Sequence, residues 1–321
     1  LHYPLRRQRQ MCIRDRPIVE QKILQKCRLW LVYDSETVVG ERLAPVGKRS
    51  PEILNDLTRH ALVRAIEANL DEAWSLLRSI ASVEVDDSHN MTRVATGIPI
   101  GMWNCVVHTR LEPETADRQI QDTIAYFGSR HLPMEWYVGP AATPADLGER
   151  LKAQGLVHEG DSPGMAVDLT KLNEDLPIPS GLEIRPVEDV RSLRSFLHIL
   201  TTVFAFPESC QTRVFDVELS YGFAPDSPYR RYIGLLEGKP VATSAIYLLC
   251  GVAGIYWVAT LPEERGKGIG SAMTLFPLQE ARSSGYRVGI LHSSSKGLGV
   301  YRRLRFKEFC KIGLYAWEPA K

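Results

Sequence analysis

The sequence predicts an α/β (α+β) fold built twice in tandem, each copy a mixed sheet with flanking helices. Three observations lead there. Helix-periodic and strand-periodic segments alternate along the chain, the same order returns after an offset of 150 positions, and a polar, proline-bearing stretch, Lys171–Gly181, lies between the two runs. A chain of 321 residues is long enough for two ordinary domains with separate cores.

In the first run, Leu57–Ile80 has helical spacing in Leu62, Ile66, Leu70, Trp74 and Leu77. Asn104–Leu111 reads as a strand, Ala116–Arg130 as a helix, and Met134–Val138 as a strand ended by the Gly139-Pro140 break. Pro144–Gln154 follows as a helix, then closing strands near Val157 and over Met165–Leu169. Shifted by 150, Leu111 falls on Leu261, Trp136 on Tyr286, Val138 on Val288, Gly139 on Gly289, Leu156 on Phe306 and Ala166 on Ala316. No gap is needed over about 55 residues. The first copy is therefore expected over 51–170, the linker over 171–181 and the second copy over 182–319.

Basic and acidic residues nearly balance, 39 against 38, for a formal charge of +1. No overall field draws such a protein to nucleic acid or to an anionic membrane, and a small molecule is the expected partner. The six cysteines, Cys12, Cys27, Cys105, Cys210, Cys250 and Cys310, form no C-x-x-C pair and follow no secretory segment. That argues against disulfides and against a metal site, and for a reducing cytoplasm. Cys105 and Cys250 lie among apolar residues and read as buried thiols. Val241–Leu261 carries no charge over the length of a membrane span, but its Thr, Ser and Tyr content and Gly251 and Gly254 make it two buried strands joined by a turn. Residues 1–50 are set aside as a leader without functional weight, since Leu1–Arg16 resembles translated read-through of a sequencing adaptor.

Chemistry concentrates in the second copy. The strand Gly254–Thr260 runs through Leu261–Glu264 into Arg265-Gly266-Lys267-Gly268-Ile269-Gly270-Ser271, and an amphipathic helix, Ala272–Ser283, follows. Glycines at a strand-to-helix turn leave backbone N–H groups uncovered at the positive end of a helix, where main-chain donors can hold a diphosphate. The spacing fits neither the dinucleotide fingerprint G-x-G-x-x-G nor a Walker loop, which needs Gly-Lys followed by Ser or Thr.

Arg265-x-x-Gly268-x-Gly270, after a strand that ends near Pro262, resembles the acetyl-CoA motif of the GNAT superfamily, the GCN5-related N-acetyltransferases. A second stretch lies at the expected distance. The strand Arg287–His292, followed by Ser294-x-x-Gly297-x-x-x-Tyr301-x-x-Leu304-Arg305-Phe306, is similar to the family's S-x-x-G-x-x-x-Y-x-x-L-G-F. Arg305 stands where the family has glycine, which is expected to alter the turn into the last hairpin. The resemblance covers about Leu182 to Trp317, and weakly the first copy.

The resemblance implies, for each copy, a mostly antiparallel twisted sheet splayed between its two central strands, and acetyl-CoA as co-substrate. The pantetheine arm would enter the gap and bond backbone near Val258, Ala259 and Thr260. The diphosphate would rest on the N–H groups of Gly266, Lys267, Gly268, Ile269, Gly270 and Ser271, with Arg265 and Ser294 as further cofactor contacts. An acceptor amine would attack the thioester directly in a ternary complex, and Tyr301 would give a proton to the leaving thiolate. An amine of pKa about 10.4 is almost wholly protonated at neutral pH, so a base or a desolvating pocket must help. Glu218, Asp216 and His292 are candidates, each with a solvated or structural reading beside it.

In the first copy, the offset puts Thr115 on Arg265, Arg118 on Gly268, Ile120 on Gly270 and Leu151 on Tyr301, so that copy is expected to lack acetyl-CoA, its side chains blocking the cradle. The acceptor side is expected over Val203–Tyr232, where Phe204, Phe206, Tyr221 and Phe223 alternate with Pro207, Pro225 and Pro228 and suggest an apolar pocket of limited size. The expected activity is N-acetyl transfer to the primary amine of a small or amino-acid-like molecule. The rival expectation is a non-catalytic acyl-CoA-binding sensor or scaffold, and transfer to a hydroxyl or of a longer acyl group stays chemically open.

Overall fold

The computed structural model describes residues 52–87 and 90–320; the leader, Cys12 and Cys27 lie outside them. In the first half, α1 (Arg59–Ser75) leads into a hairpin of β1 (Glu84–Asp87) and β2 (Thr92–Ala95), then β3 (Asn104–Val107), α2 (Ala116–Gly128), β4 (Met134–Val138), α3 (Leu147–Ala153) and β5 (Val157–Asp168). The second half runs β6 (Leu182–Pro186), α4 (Val190–Val203), α5 (Gln211–Ser220), β7 (Tyr229–Leu236), β8 (Lys239–Leu249), β9 (Val252–Thr260), α6 (Ile269–Ser283), β10 (Val288–His292), α7 (Leu298–Arg303) and β11 (Lys307–Trp317). The uncharged Val241–Leu261 stretch is the hairpin β8–β9, and no described helix is long and apolar enough to cross a membrane.

Local sequence explains the boundaries. Asp189 starts α4 by accepting from Ser192 N–H at 2.7 Å in a reciprocal capping box, and Leu193, Phe196, Leu197 and Leu200 put one apolar face on the sheet. Thr58 caps α1, whose expected last turn is a separate 3₁₀ segment, Leu76–Ser79. β3 is four residues shorter than expected because His108 takes φ +54° and turns the chain out of the strand. Cys250 was expected to be buried; it is exposed, since Cys250 and Gly251 form the two-residue turn of the β8–β9 hairpin with φ +53° and +73°.

The eleven strands of the described residues join in one sheet, in the order β1-β2-β3-β4-β11-β5-β10-β9-β8-β7-β6, and most neighbours are antiparallel. The centre of that order is an exchange. β11, the last strand of the second half, pairs with β4 of the first (Trp317↔Met134) and with β5 (Ala316↔Val157). β5, the last strand of the first half, pairs in turn with β10 (Val288↔Asp168). Helix α1 lies across both halves: Asn69 donates to Leu249 O at 3.1 Å and accepts from the Tyr256 hydroxyl at 3.0 Å, while Leu62 and Ile66 pack with Val288 and Ile290. Helices α4 and α5 join α1 in one core, and α6 with α7 covers the opposite face of the second half.

The repeat is present, but not in the ungapped register read from the sequence. An offset of 150 carries β5 onto β11 and, within one residue, α3 onto α7. Upstream, α2 begins at Ala116 against Ile269 for α6, and β4 at Met134 against Val288 for β10, so the offset there is 153 to 154. Thr115 therefore takes the place of Gly268 as the residue before the helix. Arg118 is an exposed helix residue 3.8 Å from Asp122, and Ile120 is a fully buried core residue, so neither blocks a cradle. The stretch read as a linker is docked rather than free. Asn173 donates to Arg303 O at 3.0 Å, Glu174 accepts from Gln279 at 2.7 Å and pairs with Arg282, and Leu172 is buried.

Candidate active site

The glycine loop of the second half has the geometry its composition suggests. Gly268 precedes α6 with φ +86°, and a Cβ there would stand 2.9 Å from Pro177 O of the docked linker, so conformation and space both demand glycine. No described residue accepts from the N–H groups of Gly266, Lys267 or Gly268, and Ile269 and Gly270 open the first turn of α6, whose N–H groups have no partner within the helix. Ser271 N–H bonds Gly268 O at 3.1 Å. The cationic side chains are partly engaged: Lys267 pairs with Glu264 at 2.6 Å, and Arg265 donates through Nε to Thr260 O at 3.1 Å.

Beside this loop the two central strands part. β9 and β10 pair at Gly289↔Ala253, Ile290↔Gly254 and Leu291↔Ile255, after which Tyr256–Thr260 has no neighbour on that side among the described residues. On its other edge β9 bulges: Thr243 pairs with Ala259 and Ala245 with Tyr256, so Trp257 and Val258 face Ser244 alone. Trp257 is held at φ +51°, and Thr243 Oγ1 donates to its carbonyl at 2.9 Å. A bulky residue in the left-handed region is costly, and such strain is found where the backbone is shaped for a ligand.

The gap opens on a cavity of about 360 Å³ lined from both halves. Val258, Ser294 and Tyr301 line it; Tyr301 is nearly buried, and burial pushes its hydroxyl pKa up to about 12. Ser294 Oγ accepts from Gly297 N–H at 3.2 Å and so helps to start α7. His292 also lines the cavity, half-buried as a residue, but neither ring nitrogen reaches solvent or a partner among the described residues, and desolvation pulls its pKa down to about 4, leaving it neutral. Glu218 reaches the cavity too, yet it is locked: it lies 3.1 Å from the buried Arg231 and accepts from the Tyr229 hydroxyl at 3.2 Å. Burial raises its pKa and the arginine opposes that rise. Asp216 is exposed and does not line the cavity. Of the four expected aromatics, Phe204 and Tyr221 line it, whereas Phe206 is core and Phe223 packs on Arg231.

Sequence reading missed the first half's share of this cavity: Trp74, Met102, Trp103, Glu135 and Tyr137. One signal was available, since Glu135 is the single charged residue in the strand Met134–Val138.

Residues 194–306 match the sequence profile of the Acetyltransferase (GNAT) family. This segment belongs to the GNAT acetyltransferases. Three solved structures share the fold of the GNAT half and of its partner. A GCN5-related N-acetyltransferase from Kribbella flavida superposes over 80% of this chain and 96% of its own, with TM-score 0.62 and 18% identity. A second, from Sphaerobacter thermophilus, covers 81% and 93% at TM-score 0.54 and 17% identity. A tandem GNAT protein from the clavulanic acid biosynthesis pathway covers 84% and 98% at TM-score 0.52 and 13% identity. No curated protein matches the sequence.

Proposed function

We propose that the protein transfers an acetyl group from acetyl-CoA to the primary amine of a small molecule, with the GNAT half as the catalytic one. The observation that carries this reading is the unpaired edge Tyr256–Thr260, flanked by the unbonded N–H groups of the glycine loop and opening on a cavity that holds Tyr301. Acetyl-CoA, when bound, supplies an acetyl group activated as a thioester. The residues present fit it. The N–H groups at 266–270 point a helix N-terminus at a diphosphate, and the free edge of β9 offers Val258, Ala259 and Thr260 as backbone partners for an amide-bearing arm. Arg265 retains its terminal nitrogens for a further anionic contact.

Tyr301 holds its proton firmly. With a pKa of about 12 against about 8.5 for a thiol, full transfer to sulfur runs uphill, so its role is to donate a hydrogen bond to the sulfur as charge develops there. Glu218, spent on Arg231, and Asp216, outside the cavity, are unsuited to accept the amine proton. His292 lines the cavity as a neutral ring with both nitrogens covered, so it is no better placed to accept that proton. A reducing, cytoplasmic setting is the one that suits scattered cysteines without a C-x-x-C pair.

Gly270→Glu is the cleaner test than a change at Gly268. A Cβ at Gly270 meets only Thr260 Oγ1, at 4.0 Å, and a carboxylate in the first turn suits the helix while repelling a diphosphate. The unaltered protein is expected to gain about 2.7 kcal/mol from acetyl-CoA at a hundredfold excess over Kd, read as a rise in melting temperature. Gly270→Glu is expected to melt at the same temperature without ligand and to show no rise; a full ligand-induced rise in this variant would remove the cofactor assignment.

A further inference from the structure

The cavity has an electrostatic character that neither half has alone. Among the described residues no lysine or arginine lines it, while two carboxylates do, Glu135 and Glu218. Glu218 is compensated by Arg231 at 3.1 Å. Glu135 is not: it accepts from the Tyr137 hydroxyl at 2.7 Å and forms no ion pair among the described residues. It rises from β4 of the half that lacks a glycine loop, and burial pushes its pKa above the ordinary carboxylate range. A partly buried carboxylate without a counter-charge is costly, and an incoming cation relieves it.

The walls around it are aromatic and come from both halves. Trp103 of the first half stacks on Trp257 of the second with ring centroids 5.7 Å apart and planes 15° apart. Phe204 meets Trp257 edge-on at 5.8 Å, and Trp74 of α1 completes that side. Aromatic faces attract cations and accept apolar bodies, so these walls and one unpaired carboxylate suit the same kind of molecule. They oppose a carboxylate-bearing one, which would find no cation in the cavity and two negative side chains.

We propose that the first half supplies the acceptor-recognition site of the enzyme: Glu135, which lines the same cavity as Trp74, Trp103, Trp257 and Phe204, binds a primary amine as its ammonium form and takes the proton the nitrogen sheds before it attacks, the body of the amine being apolar and without a carboxylate. This names the acceptor class for the transfer activity and rests on that reading. It also replaces the amino-acid-like acceptor expected from the sequence, and it gives the half without a glycine loop a task in the reaction.

The test uses the full chain without acetyl-CoA and the fluorescence of the cavity tryptophans as readout. The probes are 2-phenylethylamine, phenylalanine, which adds a carboxylate to the same body, and 2-phenylethanol, which removes the charge. The amine is expected to give a saturable change at concentrations at least about tenfold below the other two. Glu135→Gln keeps shape and the bond to Tyr137 and is expected to reduce the amine to the alcohol's affinity, whereas Glu135→Asp keeps the charge and is expected to keep the preference. No saturable amine binding, equal binding of phenylalanine, or unchanged amine binding in a Glu135→Gln protein that melts normally would each overturn the proposal. Thiol release from acetyl-CoA separates the two readings: amine binding that needs Glu135 without thiol release leaves this site standing and defeats transfer, and amine-dependent thiol release with a KM indifferent to Glu135→Gln does the reverse.

Discussion

The two strand-to-helix crossings of this chain start alike and end in opposite states. In the second half, β9 leaves β10 after Ile255 and its last five residues keep an open edge. In the first, β3 pairs with β4 as far as Val106↔Trp136, and beyond it Thr143 fills the place: its N–H bonds Thr109 O at 3.2 Å and its carbonyl accepts from Leu111 N–H at 3.0 Å. The Trp136 indole, donating to Thr109 Oγ1 at 2.8 Å, fastens the same corner. A backbone already bonded to its own chain has nothing left for a pantetheine-like arm. The first half thus lacks a cofactor gap because the fold has closed it, with no need for side chains at Arg118 and Ile120 to obstruct one. It lends Trp74, Met102, Trp103, Glu135 and Tyr137 to the lining of the shared cavity instead.

The exchange of β5 and β11 implies that neither half stands alone, and this is the prediction with the largest effect. β11 runs parallel to β10, so it cannot take the antiparallel place that β5 holds beside β10, and without the first half it loses both of its own neighbours. Residues 182–320 and residues 52–181, produced separately, are expected to be insoluble or to show no cooperative melt, and co-expression is expected to restore a single transition. A monomeric 182–320 fragment that melts cooperatively would show that the exchange is ornamental and that the halves are independent domains.

How much of this was legible in the sequence follows from the range of the forces involved. The glycine loop, the hairpin Val241–Leu261, and the α3–β5 and α7–β11 repeats were readable because turn chemistry and periodicity are local. The exchange of β5 and β11 was not, since the residues of a strand do not name the neighbour it pairs with. The register of the repeat misled between Val107 and Leu147, because two compensating length differences leave apolar residues matched to apolar ones at an offset of 150. Glu135 escaped for a related reason. It meets a cavity only because Trp74 of α1 and Trp257 of β9, both distant in sequence, line the same space.

A smaller effect sharpens the seam between the halves. Asp168, at the end of β5, accepts from Arg287 Nε at 2.7 Å and Nη2 at 3.0 Å, just before β10. The bidentate pair and the Thr170 hydroxyl hold the carboxyl pKa down to about 2. A depressed carboxyl stabilises the fold above its unfolded value of 3.8, and that contribution is lost as pH falls through about 2. Arg287 is partly exposed, so solvent screening leaves only a small part of this at neutral pH. Asp168→Asn is expected to melt slightly lower at pH 7 and to flatten the loss of stability between pH 4 and pH 2. An acid limb identical to that of the unaltered protein would place the pair outside the forces that join the halves.

The smallest effect isolates one residue in each copy. Gly155 and Arg305 occupy equivalent positions, at the turn from α3 into β5 and from α7 into β11, and both take left-handed backbone, φ +91° and +71°. The arginine was expected to reshape the turn; instead the turn is kept and Arg305 adopts the conformation of the missing glycine, with only a 3.4 Å bond to Lys171 O to show for it. Because the left-handed region is unfavourable for a residue with a Cβ, Arg305→Gly is expected to stabilise by about 0.5–1 kcal/mol after allowing for the freer unfolded chain. A Cβ at Gly155 meets nothing within 4 Å, so Gly155→Ala costs conformation alone and is expected to destabilise by a similar amount. Thermal unfolding of the two variants should therefore shift in opposite directions. Shifts of one sign would mean that the two turns, equivalent in backbone, are held by different interactions.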